Sequence, residues 1–396
     1  FNTKWKDSTI YPPLYDIIEK NIKQGVYSKD ILKAYDVEEI DQCNKYIRHN
    51  RDLDFTYAGL QQIVDKYLVQ DRSNGKVFET PQFMYMLIAM TLFRNYNKDK
   101  RLDYVKRYYD AISTFKINIP TPIMAGVRTP LRQFASCVLV DSDDTLDSIF
   151  SSDMAIGRYV AQRAGIGINA GRIRGLGAKI RGGEVQHTGV IPFLKKFEAT
   201  VRSCTQNGVR GGSATVHFPI WHQEINDIIV LKNNKGTEDN RVRKLDYSIQ
   251  LSKLFYERFL KNEEITLFSP HDVKGLYDAF GTPEFDELYE RYERATSIPK
   301  TKIPARELFG SILKERAETG RIYIMNIDHC NSHSSFTDKV NMSNLCQEIT
   351  LPTDPISHID GEGEIALCIL SAINVGIIKI EELANLCDLA VRGLEE

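Results

Sequence analysis

The chain has 396 residues, of which 42% are hydrophobic, 26% charged and 10% aromatic. This composition is typical of a globular enzyme and excludes a disordered or fibrous protein. The formal net charge of −2 lacks the basic excess with which proteins bind a nucleic-acid backbone, so no nucleic-acid polymer is expected as a partner.

No membrane-spanning or secretory segment is expected either. The two most apolar stretches, 83–93 and 365–378, are short or interrupted by polar residues. The first residues lack the basic start and apolar centre of a secretory signal. Seven widely spaced cysteines form no CxxC pair, which favours a reducing, cytoplasmic environment over a secreted disulfide framework.

The first 115 residues carry apolar side chains at three- and four-residue spacing, which is typical of helices. The spacing predicts a helical N-terminal domain over residues 1–116. Its predicted helices span 14–24, 37–47, 56–69, 81–93 and 102–114.

From residue 117 onward, short apolar runs alternate with longer amphipathic segments, which predicts parallel strands with helical crossovers over residues 117–396. The pattern stops within a predicted helix, so the fold is expected to continue beyond Glu396. The predicted strands span 135–140, 166–170, 214–219, 246–250, 265–269, 321–327 and 365–373. The predicted helices span 146–162, 190–206, 253–260, 285–295, 306–319 and 380–394.

The segment 343–349 holds the most informative cysteine. In an extended backbone, alternate side chains point to one side, so Asn344, Cys346 and Glu348 would line one wall with an amide, a thiol and a carboxylate. The alternative is a half-exposed strand with a small cysteine, and spacing alone leaves both interpretations open.

Two other cysteines, Cys137 and Cys368, lie in apolar runs, where each by itself is expected to be a core thiol. Two glycine-rich joints, 165–175 and 206–212, contain arginines and could bind phosphate through backbone amides and guanidinium groups. Neither joint has the spacing of a dinucleotide fingerprint or a Walker A loop.

Taken together, six motifs closely resemble the large subunit of class I ribonucleotide reductases in their order and spacing. They are PTPIM at 120–124, RQFASC at 132–137, QRAGIGIN at 162–169, NGVRGG at 207–212, SNLCQE at 343–348 and LC at 367–368.

The resemblance implies a role for each residue of the Asn-x-Cys-x-Glu segment. Cys346 would become the thiyl radical that abstracts the ribose 3′ hydrogen. Glu348 would accept the 3′-hydroxyl proton, and Asn344 would orient the ribose. Cys137 and Cys368 would supply two electrons to the 2′ carbon and form a disulfide in each turnover. A disulfide requires Cα atoms within roughly 7 Å, so these two cysteines are expected on neighbouring strands.

The resemblance also implies substrate contacts and a site for an effector that sets substrate specificity. The implied substrate contacts are Thr121, Ser136 and Gly165. The implied effector contacts are Asp144, Thr145, Leu146, Ile149, Arg174, Ile180, Arg181, Gln206 and Arg210.

For the complete fold, the resemblance implies a ten-stranded α/β barrel with a central finger loop that carries Cys346 at its tip. It implies a ribonucleotide substrate, a deoxynucleoside triphosphate or ATP effector with magnesium, and no covalently bound cofactor. It further implies a homodimer, a metal-containing small subunit that supplies the radical, and a C-terminal half with a radical-delivering tyrosine pair and a re-reducing cysteine pair.

Other interpretations remain open from the sequence. The chain could be a non-catalytic nucleotide-binding module that keeps the motifs, or a cobalamin-dependent reductase with similar loop chemistry. His329, Cys330 and His333 have spacing that zinc sites use, but no complete set of four ligands accompanies them, so no metal site is expected.

Overall fold

The structure is a computed structural model that describes residues 11–204 and 211–395. It divides into two compact units. The first comprises the described residues of Phe1–Ser136 and Ile369–Glu396, and the second those of Cys137–Cys368. The sequence predicted a domain boundary between residues 116 and 117, and that boundary stays a prediction.

The described α-helices are α1 (Leu14–Lys23), α2 (Asp30–Ala34), α3 (Val37–Tyr46), α4 (Tyr57–Gln62), α5 (Pro81–Leu92), α6 (Lys98–Ser113), α7 (Thr121–Gly126), α8 (Leu146–Ala161), α9 (Ile191–Ser203), α10 (Ile225–Ile229), α11 (Lys253–Lys261), α12 (Leu276–Ala279), α13 (Phe285–Arg294), α14 (Ala305–Thr319), α15 (Ile327–Ser332) and α16 (Leu383–Arg392).

The described strands are β1 (Gln70–Asp71), β2 (Lys76–Val77), β3 (Ile117–Asn118), β4 (Cys137–Asp141), β5 (Gly165–Asn169), β6 (Lys179–Ile180), β7 (Val185–Gln186), β8 (Ala214–Pro219), β9 (Asp246–Leu251), β10 (Glu264–Leu267), β11 (Thr301–Pro304), β12 (Ile322–Asn326), β13 (Ala366–Cys368) and β14 (Ala372–Ile373).

In the first unit, helix α5 forms the centre of the core. All of its residues are buried, because its sequence is uncharged and apolar on every side. Thr80 caps the helix by accepting a hydrogen bond from the Phe83 amide, and Pro81 occupies the first turn, where a missing N–H costs nothing. The buried Gln82 amide bonds both Asp52 and Tyr109, so the polar group in this core is satisfied.

In the second unit, a six-stranded sheet has the order β12-β9-β8-β5-β4-β13. The first five strands are parallel, which confirms the predicted alternation of strands and helical crossovers. Two of the predicted strands form but differ from the expected parallel arrangement. β10 pairs antiparallel with β11 in a separate ribbon, and the predicted strand 365–373 is split, since β13 pairs antiparallel with β4 while β14 pairs with β3.

Among the described residues, no helix has the length and apolar content needed to cross a membrane.

Candidate active site

The four central strands of the large sheet present two different faces. Because side chains alternate along a strand, residues two apart share a face. One face is fully buried and apolar, and its members include Val138, Ile166, Val216 and Ile249. The opposite face carries polar or small residues, and its members include Cys137, Gly165, Gly167, Thr215, His217 and Ser248.

The cysteine loop, defined as residues 341–353, crosses this polar face. Glycine makes the crossing possible, because a Cβ added at Gly167 would lie 2.1 Å from the Ser343 carbonyl oxygen. A Cβ at Gly165 would lie 2.7 Å from Leu345 Cδ2. On the next strand, Thr215 Oγ1 donates a 2.7 Å hydrogen bond to the Leu345 carbonyl and fixes the loop to the sheet.

The prediction of an extended backbone around Cys346 was wrong, because residues 344–347 form a turn. The Gln347 amide donates to the Asn344 carbonyl at 3.4 Å, and Gln347 has a φ of 68°. The Asn344 side chain accepts from the Ile349 amide at 3.1 Å, and Ser343 Oγ donates to the Ile349 carbonyl at 2.5 Å. Such local side-chain bonds compete with strand pairing. Cys346 is therefore exposed at the turn.

Asn344 and Glu348 nevertheless converge, and the group they share is the thiol of Cys137. Asn344 Nδ2 donates a hydrogen bond to Cys137 Sγ at 3.4 Å, and Cys137 Sγ in turn donates to Glu348 Oε1 at 3.8 Å. Asn344 is fully buried, whereas Glu348 is exposed. The turn thus brings Asn344 and Glu348 to one sulfur, whereas the sequence pattern had placed these two side chains together by alternation along a strand.

Cys137 and Cys368 are directly opposite each other on the antiparallel strands β4 and β13. This confirms the prediction of neighbouring strands. Opposed residues in antiparallel strands have Cα atoms about 4.5–5.5 Å apart, which lies within the range that a disulfide can bridge. On the other side of Cys137, Gly165 is its register partner on β5.

The pKa of the Cys368 thiol is raised to about 11, first by burial and then by the neighbouring Cys137 and the Glu348 carboxylate. The thiol is consequently protonated at neutral pH. A protonated thiol can deliver a hydrogen atom or a proton, and its conversion to a thiolate requires a base.

Sequence reasoning missed two residues of the polar sheet face, Ser248 and His217, that contact the Gln347 side chain of the turn. Ser248 Oγ donates to Gln347 Oε1 at 3.1 Å, and Gln347 Nε2 lies 3.4 Å from His217 Nε2. Burial lowers the pKa of His217 to about 3, so this imidazole is neutral. The sequence pattern could have indicated both residues, because strand alternation places His217 and Ser248 on the same face of the sheet as Thr215 and Gly167.

The predicted effector residues are partly brought together. Arg174 pairs with Asp144 at 2.7 Å, and its backbone amide donates to the same carboxylate at 2.8 Å. Arg174 Nη1 also donates to the Lys179 carbonyl at 3.0 Å, next to Ile180. Burial raises the pKa of Asp144, while Arg174 opposes this effect. His271, which the sequence did not suggest, lies 3.5 Å from Asp144.

The remaining effector candidates differ in exposure. Thr145 caps helix α8 through a hydrogen bond from the Ser148 amide, and Leu146 is 57% exposed beside it. Ile149 is buried in the core. Arg181 begins the short turn between β6 and β7. Gln206 and Arg210 lie outside the described residues.

Two of the predicted substrate contacts belong to the helical unit. Thr121 begins α7, and its hydroxyl lies 3.5 Å from the Tyr67 hydroxyl. Ser136 is the last residue of that segment of the unit. The contacts of both with a substrate stay predictions. Within the described residues, no group of three or more His, Cys, Asp or Glu side chains is placed to hold a metal ion.

Two family models match the chain. The model described as the ribonucleotide reductase all-alpha domain matches residues 53–132, and the model described as the ribonucleotide reductase barrel domain matches residues 135–396. These matches confirm the predicted order of a helical region followed by an α/β barrel domain.

Curated relatives agree with the family models. A ribonucleoside-diphosphate reductase subunit alpha from Haemophilus influenzae is 56% identical over 94% of this chain and 50% of the relative. Ribonucleoside-diphosphate reductase 1 subunit alpha from Escherichia coli is 56% identical over 87% of this chain and 46% of the relative. The subunit alpha of Enterobacteria phage T4 is 46% identical over 96% and 51%, respectively.

The chain thus spans about half the length of the curated relatives it matches. The barrel-domain match alone covers more than half of the chain and contains the converging residues Cys137, Asn344, Glu348 and Cys368. The chain belongs to the ribonucleotide reductase large-subunit family.

Proposed function

We propose that this chain supplies the reacting thiols of a ribonucleoside-diphosphate reductase, which reduces ribonucleotides to deoxyribonucleotides. The convergence of Asn344, Glu348 and Cys368 on Cys137 is the single observation that carries the proposal. Neither a core cysteine nor a simple binding module requires an amide, a carboxylate and a second thiol around one sulfur.

In the proposed reaction, Cys346 as a thiyl radical abstracts the 3′ hydrogen of the ribose and later returns it. Glu348 accepts the 3′-hydroxyl proton, and Asn344 orients the ribose. The bond between the 2′ carbon and its hydroxyl breaks, the hydroxyl leaves as water, and a hydrogen takes its place. Cys137 and Cys368 supply the two electrons and two protons and become a disulfide, so atoms and electrons balance.

The same geometry supports different chemical roles for Cys346 and Cys368. Cys346 is exposed at the turn, where a substrate and a radical could reach it. Cys368 is partly buried and protonated at neutral pH, as a hydrogen donor must be. Thr121, Ser136 and the backbone at Gly165 are proposed to contact the substrate.

A nucleotide effector, a deoxynucleoside triphosphate or ATP with magnesium, is proposed to bind around Asp144, Thr145 and Arg174. Arg174 offers a cationic donor and His271 an imidazole N–H to phosphate, and the exposed Leu146 offers an apolar surface to a base. Magnesium commonly binds such nucleotides through phosphate oxygens and few protein ligands. Leu146, Ile149, Ile180, Arg181, Gln206 and Arg210 are the further proposed effector contacts.

The activity is proposed to need partners. A small, metal-containing subunit would generate the radical, and residues equivalent to the other half of the relatives would complete the barrel, on the same or another polypeptide. We further propose that the large subunit forms a homodimer. We also propose a cytoplasmic location, because the reaction requires thiols that a reducing compartment maintains.

The test is nucleotide reduction by the chain combined with a C-terminal complement and a small radical-generating subunit. We expect deoxynucleotide formation that Cys346→Ser abolishes while effector binding is retained. Cys387→Ser, at an exposed cysteine of α16, is the matched control and should leave turnover unchanged.

Two outcomes would overturn the proposal. Intact nucleotide binding without any reduction in the complete assembly would identify a non-catalytic module. Reduction that requires added cobalamin and no small subunit would identify a cobalamin-dependent enzyme.

A further inference from the structure

Asp141, at the carboxyl end of strand β4, has a fully buried carboxyl group outside the residues discussed so far. Its Oδ1 accepts a 2.7 Å hydrogen bond from Asn169 Nδ2, its register partner on β5. Arg172 Nε lies 3.7 Å from the same oxygen. A buried carboxylate is costly unless donors surround it, so its retention here requires these partners.

The other carboxylate oxygen binds both ends of the cysteine loop. Oδ2 of Asp141 accepts from Thr353 Oγ1 at 3.3 Å and from Asn341 Nδ2 at 3.4 Å. Asn341 Nδ2 also donates to the Thr353 carbonyl at 3.2 Å, which links the two ends directly. Just beyond the loop, the Ile356 amide donates to the Asp141 carbonyl at 3.2 Å. One residue of the sheet therefore fixes where the loop starts and where it returns.

The donors around Asp141 are themselves held in place. Tyr277 donates its hydroxyl to Asn169 Oδ1 at 2.8 Å, and Gln250 Nε2 donates to the Asn341 carbonyl at 2.5 Å. The Arg172 guanidinium lies 4.6 Å from the Tyr277 ring centroid. Because these bonds form together only in this arrangement of the side chains, they specify the position of the loop base.

We propose that Asp141 is a positioning residue that sets the geometry of the cysteine loop and so places Asn344 and Cys346 for the reaction. The inference rests on the proposed function. Only three residues lead from Asn341 to Asn344, a span of at most about 10 Å, so a shift at the base is carried to the turn. A misplacement of about 1 Å at a reacting group can cost roughly 100-fold in rate.

The test replaces Asp141 with Asn in the complete enzyme, because the amide keeps the shape but turns an N–H toward the donors of Asn341 and Thr353. We expect kcat to fall roughly 10- to 100-fold with KM changed less than threefold. Amide hydrogen exchange should accelerate in residues 341–353 and stay unchanged in β5 and β8. Asp227→Asn, the same chemical change at an exposed position of α10, should alter neither quantity.

If Asp141→Asn does not fold, Thr353→Val removes a single hydrogen bond to the same carboxylate and is measured in the same way. A folded variant with unchanged exchange in 341–353 and kcat within twofold of the wild type would overturn the inference. An inactive wild-type assembly would instead refute the proposed function. In that case faster exchange confined to the loop would still support the positioning of the loop by Asp141, and unchanged exchange would contradict it.

Discussion

Cys137 and Cys368 are register partners on antiparallel strands, and both Asn344 and Glu348 contact the Cys137 sulfur. The pairing joins a strand near the start of the α/β unit to the strand that closes its edge. Two thiols so placed can exchange a pair of electrons with a group bound beside them without any rearrangement of the backbone.

A mild thiol oxidant should therefore cross-link this pair selectively. We expect peptide mapping after brief diamide treatment to recover a Cys137–Cys368 disulfide in most molecules. Opposed antiparallel positions already meet the Cα distance that a disulfide needs. Cys43, which is fully buried in the helical unit, should remain a thiol and serves as the internal control. Recovery of other pairs at similar yield would contradict the register described above.

Gly167→Ala should disrupt the crossing of the cysteine loop over the sheet. The added methyl would lie 2.1 Å from the Ser343 carbonyl oxygen, so either the loop or β5 must shift. We expect a loss of about 1–3 kcal/mol in unfolding free energy, typical of overpacking, together with a large loss of turnover.

Gly310→Ala is the matched control for this substitution, because its methyl would meet nothing within 4 Å in helix α14. Its unfolding free energy should be unchanged or higher by up to about 1 kcal/mol, from helix propensity. Equal effects of the two substitutions would show that the contact with Ser343 is not what makes Gly167 sensitive.

The ion pair of Glu79 and Arg128 in the helical unit should dominate the local stability of that unit. Both side chains are completely buried, and Tyr27 donates a 2.5 Å hydrogen bond to the same carboxylate. Arg128→Met leaves an uncompensated buried charge, which costs about 3–5 kcal/mol.

The control is Arg132→Met, which breaks the exposed pair with Asp30. Exposed pairs contribute about 0–1 kcal/mol, so chemical denaturation should distinguish the two arginines clearly. A loss below 1 kcal/mol for Arg128→Met would mean that the unit tolerates or hydrates the charge.

Asp141 should give the protein a distinctive pH dependence. Burial raises the pKa of this carboxyl to about 6 from its ordinary value of 3.8, against the opposing effects of Arg172, Asn169 and Thr353, with a smaller contribution from Asp143. Between these pH values the native state keeps a proton that the unfolded chain loses. The contribution of Asp141 to stability is thus greatest below pH 3.8 and declines as the pH rises through 6.

The comparison is between wild type and Asp141→Asn, which cannot titrate. The free energy of unfolding of the wild type relative to the variant should fall by about 2 kcal/mol from pH 4 to pH 7, because each pKa unit corresponds to about 1.4 kcal/mol and the unfolded carboxyl is already partly ionised at pH 4. Urea denaturation of both proteins at four pH values measures this difference in unfolding free energy. A difference that is constant with pH would show that the donors balance burial, and a difference that grows as the pH rises would show that they outweigh it.

Local sequence patterns predicted the long helices and strands well. The exceptions arise because such patterns do not determine which strands pair with each other. Helix α8, predicted over 146–162, spans Leu146–Ala161, since Thr145 provides a cap that the sequence already displays. The strand 265–269 was expected to be parallel but pairs antiparallel with β11, because apolar alternation does not state which strand a segment meets.

In the candidate site, too, the sequence indicated which residues matter but not how the fold brings them together. Motif resemblance singled out Cys137, Asn344, Glu348 and Cys368, which the structure brings together, but the turn at 344–347 could not be predicted from alternation. That turn depends on Gly165, Gly167 and Thr215, which lie far away in the chain. Asp141 was missed for a related reason, as its importance comes from the two loop ends that tertiary folding brings to it.

A single turnover of the complete, pre-reduced enzyme shows whether Cys137 and Cys368 supply the two electrons, when the C-terminal complement has its own cysteine pair replaced. After an acid quench, deoxynucleotide and the Cys137–Cys368 disulfide are quantified in the same sample. We expect about one such disulfide for each deoxynucleotide formed. Deoxynucleotide formed while Cys137 and Cys368 both remain alkylatable thiols would contradict it.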